Sequence, residues 1–165
     1  AERPFAMLSQ VIGRAGRADK EGMAIIQTNN PDSEVIRLAS AQDYESFYER
    51  EIRLRKLLTF PPFCDIALLT LTSSVEKDAI LAARKLYDLL QKMSNEERFK
   101  DQPLILFGPF EAPVYRVQNV CRMRFVMKCR LSAQTRMLFS IAMAEFSRSG
   151  ARLPTLSIDF NPTNL

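Results

Sequence analysis

The sequence contains no histidine and only three cysteines, Cys64, Cys121 and Cys129, so few of its side chains can bind a metal. These cysteines are far apart, whereas zinc sites normally place two ligands within a few residues of each other. We therefore expect no metal site in this chain. An odd number of scattered cysteines also suits a reducing compartment, which predicts a cytoplasmic location.

Long apolar runs are also missing from the sequence. A membrane-spanning helix needs roughly 20 apolar residues, and no stretch comes near that length, so we expect no membrane partner. No secretory signal opens the chain. With 165 residues, 47% of them hydrophobic and 25% charged, the composition suits one or two globular domains. The chain begins Ala1-Glu2-Arg3 without a methionine, which leads us to expect a fragment of a longer protein.

Acidic residues are scarce in one part of the chain. The net charge is +4, and the basic excess is concentrated between residues 116 and 152. In that stretch the acid Glu145 is outnumbered by a series of bases, Arg116, Arg122, Arg124, Lys128, Arg130, Arg136, Arg148 and Arg152. Such an excess is typical of a surface that binds nucleic acid, and it is equally typical of a surface that only keeps a protein in solution.

The first conspicuous motif starts at Gln10 and reads Gln-Val-Ile-Gly-Arg-Ala-Gly-Arg. A helix predicted over residues 4–17 would place Gln10, Arg14 and Arg17 at i, i+4 and i+7, on one face. Gly13 would let a phosphate approach that face closely, and arginine binds phosphate through paired hydrogen bonds. Because ordinary solvated helices carry the same pattern, the motif alone leaves both interpretations open.

The first part of the chain is predicted to be mostly helical. Residues 23–28 form a short apolar run with polar ends, which predicts a buried strand. Asp32 is a good N-cap for one long helix that continues to about Leu58. The Phe-Pro-Pro-Phe sequence at 60–63 breaks that helix, because proline cannot continue it. We therefore predict one domain over residues 1–59 and a second over residues 60–165.

The second domain is predicted to follow the order β-α-β-β-α-β. Its strands are predicted over residues 65–71, 104–107, 120–131 and 156–160. Ser73 and Glu76 have the spacing of a capping box for the first helix, and Ser132 is the predicted cap of the second. Gly108-Pro109 predicts a stiff, non-helical connection after the second strand. This order is typical of the α+β split βαβ fold, the ferredoxin-like plait.

The third predicted strand, over residues 120–131, alternates between apolar and basic residues, with the basic series interrupted only by Val126. Its apolar parity includes Phe125, and the other parity carries Arg122, Arg124, Lys128 and Arg130. An antiparallel sheet with its helices on one side leaves the other face open, so we expect these four bases to line an open face or its edge. Together with Arg116, they are the candidate residues for binding DNA or an acidic partner.

The motif at 10–17 resembles motif VI of superfamily-two helicases. With residues 27–32, 42–51, 60–63, 108–113 and 158–162, nearly the whole chain resembles the family of primosomal replication-restart helicases, primosomal protein N′. The resemblance implies that residues 1–59 end a RecA-like, α/β helicase lobe and that residues 60–165 form the family's C-terminal plait domain. It also implies that Arg17 is an arginine finger that acts on bound ATP, with Arg14 beside it and Gln10 orienting the pair; Gly13 lies in the same nucleotide-facing motif.

Two positions depart from the pattern of this family. The family often has an aromatic residue where Cys121 or Met123 stands, and an aspartate where Asn161 stands. We expect these differences to leave the fold unchanged. They weaken only the contacts that would be transferred from the family to this region.

The resemblance further implies the activity and partners of the full-length protein. That protein would use ATP and magnesium to move 3′ to 5′ along DNA, unwind abandoned forks and load the replicative helicase at the nucleoid. Its partners would be forked or single-stranded DNA, the acidic tail of single-stranded DNA-binding protein, and other primosome proteins. The family also binds zinc, through cysteines that this fragment lacks.

This fragment has no Gly-rich phosphate-binding loop ending in Lys-Ser or Lys-Thr, and no acidic magnesium motif. We therefore expect it not to hydrolyse ATP on its own. Two other interpretations of the sequence remain open. One is a non-catalytic nucleic-acid-binding module whose arginines only touch phosphates, and the other is a protein-interaction domain whose basic sheet face docks an acidic peptide.

Overall fold

The computed structural model describes residues 2–15, 23–148 and 154–163, and the chain divides into two compact units between residues 58 and 59. The first unit contains the helices α1 (Glu2–Ile12), α2 (Glu34–Ser40) and α3 (Tyr44–Leu57). The second contains β1 (Asp65–Ser73), α4 (Glu76–Ser94), β2 (Ile105–Val117), β3 (Val120–Cys129), α5 (Ala133–Ser147) and β4 (Thr155–Phe160). Within the described ranges, every helix is too short or too polar to cross a membrane.

The single long helix predicted from Asp32 to about Leu58 is wrong, because the chain forms two helices there. The break falls at Gln42, whose φ of 51° is left-handed and incompatible with a continuous helix. Asp43 then starts α3 as its N-cap, accepting a hydrogen bond from the backbone N–H of Ser46 at 3.0 Å. The cap chemistry of Asp43 therefore overrides the helical pattern that runs through it.

A small aromatic core holds the first unit together. The ring of Phe5 stacks on that of Phe47, with 4.0 Å between the ring centroids and 11° between the ring planes. Leu38 and Ala39 of α2 complete this core, and all four side chains are buried. Each of the three helices therefore contributes to this core: α1 and α3 one ring each, and α2 two aliphatic side chains.

The prediction of a buried strand over residues 23–28 is also wrong. These residues form neither helix nor strand, and Met23 and Ile25 are each 83% exposed. A strand needs a neighbouring strand to satisfy its backbone, and the described residues pair none with this segment. The segment keeps the apolar sequence of a strand without the sheet that would bury it.

The second unit has the predicted order of elements, β1-α4-β2-β3-α5-β4. Its four strands form one antiparallel sheet in the spatial order β2-β3-β1-β4. One face of this sheet packs against α4 and α5 in a continuous hydrophobic core that includes Leu69, Leu86, Phe125 and Leu138. The molecule is therefore α+β, with an antiparallel sheet whose two helices contribute to the same core.

Two local predictions for the second unit need correction. The capping box of Ser73 and Glu76 is not formed, because Ser73 is the last residue of β1 and Val75 is the N-cap of α4. The hydroxyl of Ser73 instead accepts from the N–H of Val75 at 3.0 Å. The predicted connection after residue 107 is part of β2, which continues to Val117 through two register shifts opposite β3. The predicted cap of α5 is confirmed, since Ser132 accepts from the N–H of Thr135.

Candidate functional site

The arginine motif does not lie on one helix as the sequence predicted. α1 ends at Ile12, and the N–H groups of Arg14 and Ala15 bond three residues back, to Val11 at 3.1 Å and Ile12 at 3.0 Å. This tighter turn follows Gly13, whose low helix propensity favours an end at this point. The predicted helix over 4–17 is therefore too long.

The described part of the motif is open to ligands. The side chains of Gln10 and Arg14 are exposed, and no ion pair joins Arg14 to any of the described residues. A Cβ added at Gly13 would lie 3.2 Å from the carbonyl oxygen of Ser9, so the backbone packs closely there. The exposed guanidinium of Arg14 is the group here that an anion can reach. Arg17 lies outside the described residues, so its predicted role as an arginine finger stays a prediction.

The basic parity of β3 lies on the face of the sheet opposite the core. Along the strand, the odd-numbered side chains from Cys121 to Cys129 are buried, and the even-numbered ones are half-buried. Arg122, Arg124 and Lys128 therefore share one face with the half-buried Val126. We call the surface formed by these β3 residues and their register partners the open face.

The register of the strands assigns the other members of the open face. The partners of the β3 residues on β1 are Thr72, Thr70, Leu68 and Ile66, and those on β2 are Phe110, Phe107 and Ile105. β4 adds Thr155, Ser157 and Asp159 at the far side of β1. Among these register partners, Asp159 is the acidic residue. It lies two strands from β3, roughly 10 Å away at the usual strand spacing.

Arg124 has an unsatisfied donor on this face. Its Nε atom is hidden from solvent, and it has no hydrogen-bond partner among the described residues. Its register partners, Thr70 on β1 and Phe110 on β2, bring no negative charge. A buried guanidinium nitrogen without an acceptor is costly, so an anion that reached Arg124 would be bound favourably.

Lys128 contacts aromatic rings at one end of the open face. Its Nζ lies 3.9 Å from the ring centroid of Phe60 and 5.4 Å from that of Phe107. Both distances are within the range of a cation–π interaction. Arg130 follows the end of β3 and is exposed. Lys128 and Arg130 both line a cleft of about 420 Å³ beside Phe63 and Ile105.

Arg116 is not part of the open face. It pairs in register with Cys121, on the core-facing parity of β3, and its Nη2 lies 3.4 Å from Cys121 Sγ. It also forms an ion pair of 3.3 Å with Glu76 at the start of α4. The structure therefore brings Arg122, Arg124 and Lys128 together and separates Arg116 from them.

Two aromatic residues of this site escaped the sequence analysis. Phe107 and Phe110 are three positions apart, yet they pair with Val126 and Arg124, which are two apart. The extra residue is taken up by a bulge at Gly108-Pro109, so both rings reach the open face. They are 46% and 41% exposed. The Phe-Gly-Pro-Phe sequence is the available signal, but its Gly-Pro pair predicts a connection, whereas the structure has a bulged strand.

Among residues 2–15, 23–148 and 154–163, no group of three or more acidic or cysteine side chains is placed to hold a metal ion. Burial raises the pKa of the Cys129 thiol to about 11, so this side chain is held as a neutral core residue. These features leave two candidate sites, the motif around Arg14 in the first unit and the open face in the second.

Comparison with known proteins adds the family. Residues 56–163 match the model of a family described as "Primosomal protein N C-terminal domain". The chain is 31% identical over 163 residues, 98% of its length, to "Replication restart protein PriA" of Bacillus subtilis. It is 34% identical to proteins of the same name from Borreliella burgdorferi, over 76% of the chain, and Treponema pallidum, over 78%.

The match covers only part of each relative. The chain spans 20% of the length of the Bacillus subtilis protein, 18% of the Borreliella burgdorferi protein and 19% of the Treponema pallidum protein. The family model, by contrast, takes in β1 to β4 and everything between them. The chain therefore belongs to the primosomal protein N family of replication restart proteins and carries its C-terminal domain.

Proposed function

We propose that this chain is the C-terminal part of an ATP-dependent 3′–5′ DNA helicase that recognises stalled or branched replication forks and restarts replication by primosome assembly. The observation that carries the proposal is the open face, where Arg122, Arg124 and Lys128 lie opposite the hydrophobic core. Such a row of basic side chains suits DNA as an anionic partner, because each of them can neutralise one phosphate.

The proposed fold assignment follows from the arrangement of elements. A sheet in the order β2-β3-β1-β4 with the connectivity β-α-β-β-α-β supports a ferredoxin-like plait for the second unit. For the first unit we propose the end of a RecA-like lobe. The motif from Gln10 to Arg17 supports this, as does the match of the chain to a relative over 163 residues, a length that takes in most of the first unit.

In the full-length protein, the arginine motif would complete an ATP site. ATP with magnesium would supply the phosphoryl group whose transfer drives translocation. Arg14 is exposed beside a closely packed turn and can bind phosphate, with Gln10 available to orient it. Arg17 would stabilise the charge that develops on the transferred phosphate. Zinc would be bound elsewhere in the full-length protein.

The cleft lined by Lys128 and Arg130 supports a second role of the same domain. Its apolar walls include Phe63 and Ile105, which are 44% and 47% exposed, and its two cations, Lys128 and Arg130, outnumber the one acidic side chain that lines it among the described residues, Asp65. This chemistry suits the acidic tail of single-stranded DNA-binding protein, which we propose as a partner beside forked or single-stranded DNA and other primosome proteins. The site of action would be the nucleoid in the cytoplasm.

The arginine motif is tested in the full-length protein by Arg17→Ala and Arg14→Ala. We expect Arg17→Ala to reduce DNA-dependent ATP hydrolysis on the order of 1,000-fold while fork affinity stays within a factor of two, because the finger acts only on the phosphate. ATP turnover and fork binding are measured on the same preparations. Unchanged turnover would refute the finger, and a parallel loss of fork binding would favour a module that only touches DNA phosphates.

A further inference from the structure

We propose that the open face binds unpaired nucleobases, with Phe107 and Phe110 as two stacking surfaces and Arg124 as the neighbouring phosphate ligand. This inference rests on the DNA-binding role proposed above and adds its ligand, a single-stranded segment whose bases are exposed. The two rings are 46% and 41% exposed on a face that also carries the basic residues Arg122, Arg124 and Lys128, and on which Ile66 and Leu68 of β1 are buried. Exposed aromatic rings on a sheet can stack bases of any sequence.

The local backbone is built to present both rings. In a regular strand, residues three positions apart point to opposite faces, so one of the two rings would enter the core. Gly108 prevents this by adopting a φ of 116°, which side chains rarely allow. A Cβ at this position would lie 2.9 Å from Phe125 Cβ and 3.0 Å from the ring of Phe110. The bulge therefore fixes the two rings side by side, roughly 7 Å apart along the strand.

The charges around the rings favour a nucleic acid over an apolar partner. Arg124 pairs in register with Phe110, and its Nε lacks an acceptor among the described residues. Lys128 lies over the ring of Phe107 at 5.4 Å. Each ring therefore has a cation next to it, so a phosphate can bind while the adjoining base stacks.

The rings distinguish a single strand from other anionic ligands. A duplex keeps its bases stacked inside, so it would contact the cations and leave Phe107 and Phe110 unused. An acidic peptide would use the same cations and has no flat base to place on either ring. Four-stranded sheets with exposed aromatics bind unpaired bases in this way in other nucleic-acid-binding domains. The pair of rings is thus the feature that selects among these ligands.

The test uses the whole 165-residue chain and dye-labelled oligothymidylate of about 12 nucleotides, a length that suits one small domain. Phe107→Leu with Phe110→Leu keeps apolar volume and removes both rings. Phe107→Tyr with Phe110→Tyr keeps the rings. Tyr48→Leu removes a ring that is 51% exposed in the first unit and serves as the matched control. Affinity is measured by fluorescence anisotropy, and stacking by 2-aminopurine placed within the oligonucleotide.

The expected result is a loss of affinity of about 10-fold or more in the leucine pair, with no change in the tyrosine pair or in Tyr48→Leu. The leucine pair should also abolish the 2-aminopurine response, and it should bind an abasic oligonucleotide as the wild type does. Equal affinity of wild type and leucine pair for oligothymidylate would overturn base stacking and leave electrostatic DNA binding intact. Absence of any nucleic-acid binding by the wild type would overturn both proposals. An oligoaspartate peptide that binds more tightly than oligothymidylate would also overturn the inference, assigning the face to a protein segment.

Discussion

The side-chain amide of Asn161 donates a hydrogen bond to Asp65 Oδ1 at 2.9 Å, which ties the end of β4 to the start of β1. The amide oxygen of Asn161 accepts from the N–H of Ile66 at 2.8 Å. The other oxygen of Asp65 accepts from the N–H of Leu131 at 2.9 Å. The bond from Leu131 and then that from Asn161 lower the pKa of Asp65. The start of β1 is therefore joined to the residues that follow β3 and β4, at one end of the strands.

Replacing Asn161 by aspartate should destabilise the chain by about 1 kcal/mol at pH 7, because a donor is removed and two partly solvated carboxylates then face each other. The native hydrogen bond contributes fully to stability above the pKa that Asp65 has in the unfolded chain, about 3.9. This contribution is lost as the pH falls through the lower pKa that Asp65 has in the folded chain. In the variant, repulsion raises the pKa of one carboxyl, so the loss of unfolding free energy relative to the wild type should be smaller at about pH 4 than at pH 7. Urea unfolding of both proteins at these two pH values measures this difference. Asn119→Asp, in the exposed turn between β2 and β3, is the control. An equal effect of the two variants would contradict this account.

Gly108→Ala should destabilise the chain by about 3 kcal/mol, since it combines an unfavourable φ with a contact against Phe125. The measurement is the free energy of unfolding from denaturant titration. Glu111→Ala, an exposed position of the same strand, should change that free energy by less than about 0.5 kcal/mol. Full stability of Gly108→Ala would show that the bulge does not depend on glycine.

The cap of α3 predicts a difference between two substitutions of Asp43. Hydrogen bonds from Ser46 lower the pKa of Asp43, so the cap contributes above the ordinary carboxyl pKa and is lost as the pH falls through the folded value. Asp43→Ala should lower the thermal midpoint at neutral pH, because the N–H of Ser46 loses its acceptor. Asp43→Asn should keep most of the cap and remove its dependence on pH. If alanine and asparagine gave the same midpoint, the side chain would not be acting as a cap.

The three cysteines should react with iodoacetamide in a defined order. Burial raises the pKa of Cys64 and, more strongly, that of Cys129, and Cys121 is completely buried in the core. Cys64 is half-buried and should therefore be alkylated first, though slowly, while the other two react only on unfolding. Peptide mapping by mass spectrometry with and without urea gives the order. Early labelling of Cys129 in the folded chain would contradict the packing described for β3.

The sequence predicted the second unit well where one pattern dominated. The alternation in β3 is confirmed because a strand buried on one face must place every second side chain in the core. In α4 the buried side chains, Leu86 and Leu90 among them, recur at helical spacing for the same kind of reason. The cap at Ser132 is confirmed because hydroxyl capping depends on residues close in sequence.

Predictions failed where contacts distant in sequence, or competing local chemistry, decide the structure. The bulge at Gly108-Pro109 forms because β3 is available as a partner, and no local pattern shows that partner. The bond from Asn161 to Asp65 spans most of the second unit and has no sequence signature. At residue 42 the helical periodicity was correct on both sides, but the left-handed φ and the cap at Asp43 broke it.

Four residues of the arginine motif have predicted roles that stay predictions: Gln10, Gly13, Arg14 and Arg17. Those roles need a bound nucleotide and regions of the longer relatives that this chain does not cover. For the open face, the sequence predicted the charges and missed the rings. Spacing alone places Phe107 and Phe110 on opposite faces, and only the register with Val126 and Arg124 brings them together. The candidate site was thus predictable in its electrostatics and not in its aromatic surface.

Binding of DNA by the open face should show itself in how DNA affinity depends on salt concentration. Arg122→Gln with Arg124→Gln should lower the magnitude of the slope of log K against log salt by about two, one for each phosphate that is no longer neutralised. Arg84→Gln with Lys92→Gln removes the same charge from exposed positions of α4, on the other side of the sheet, and should leave the slope unchanged. An equal change in both double variants, or no change in either, would contradict the account.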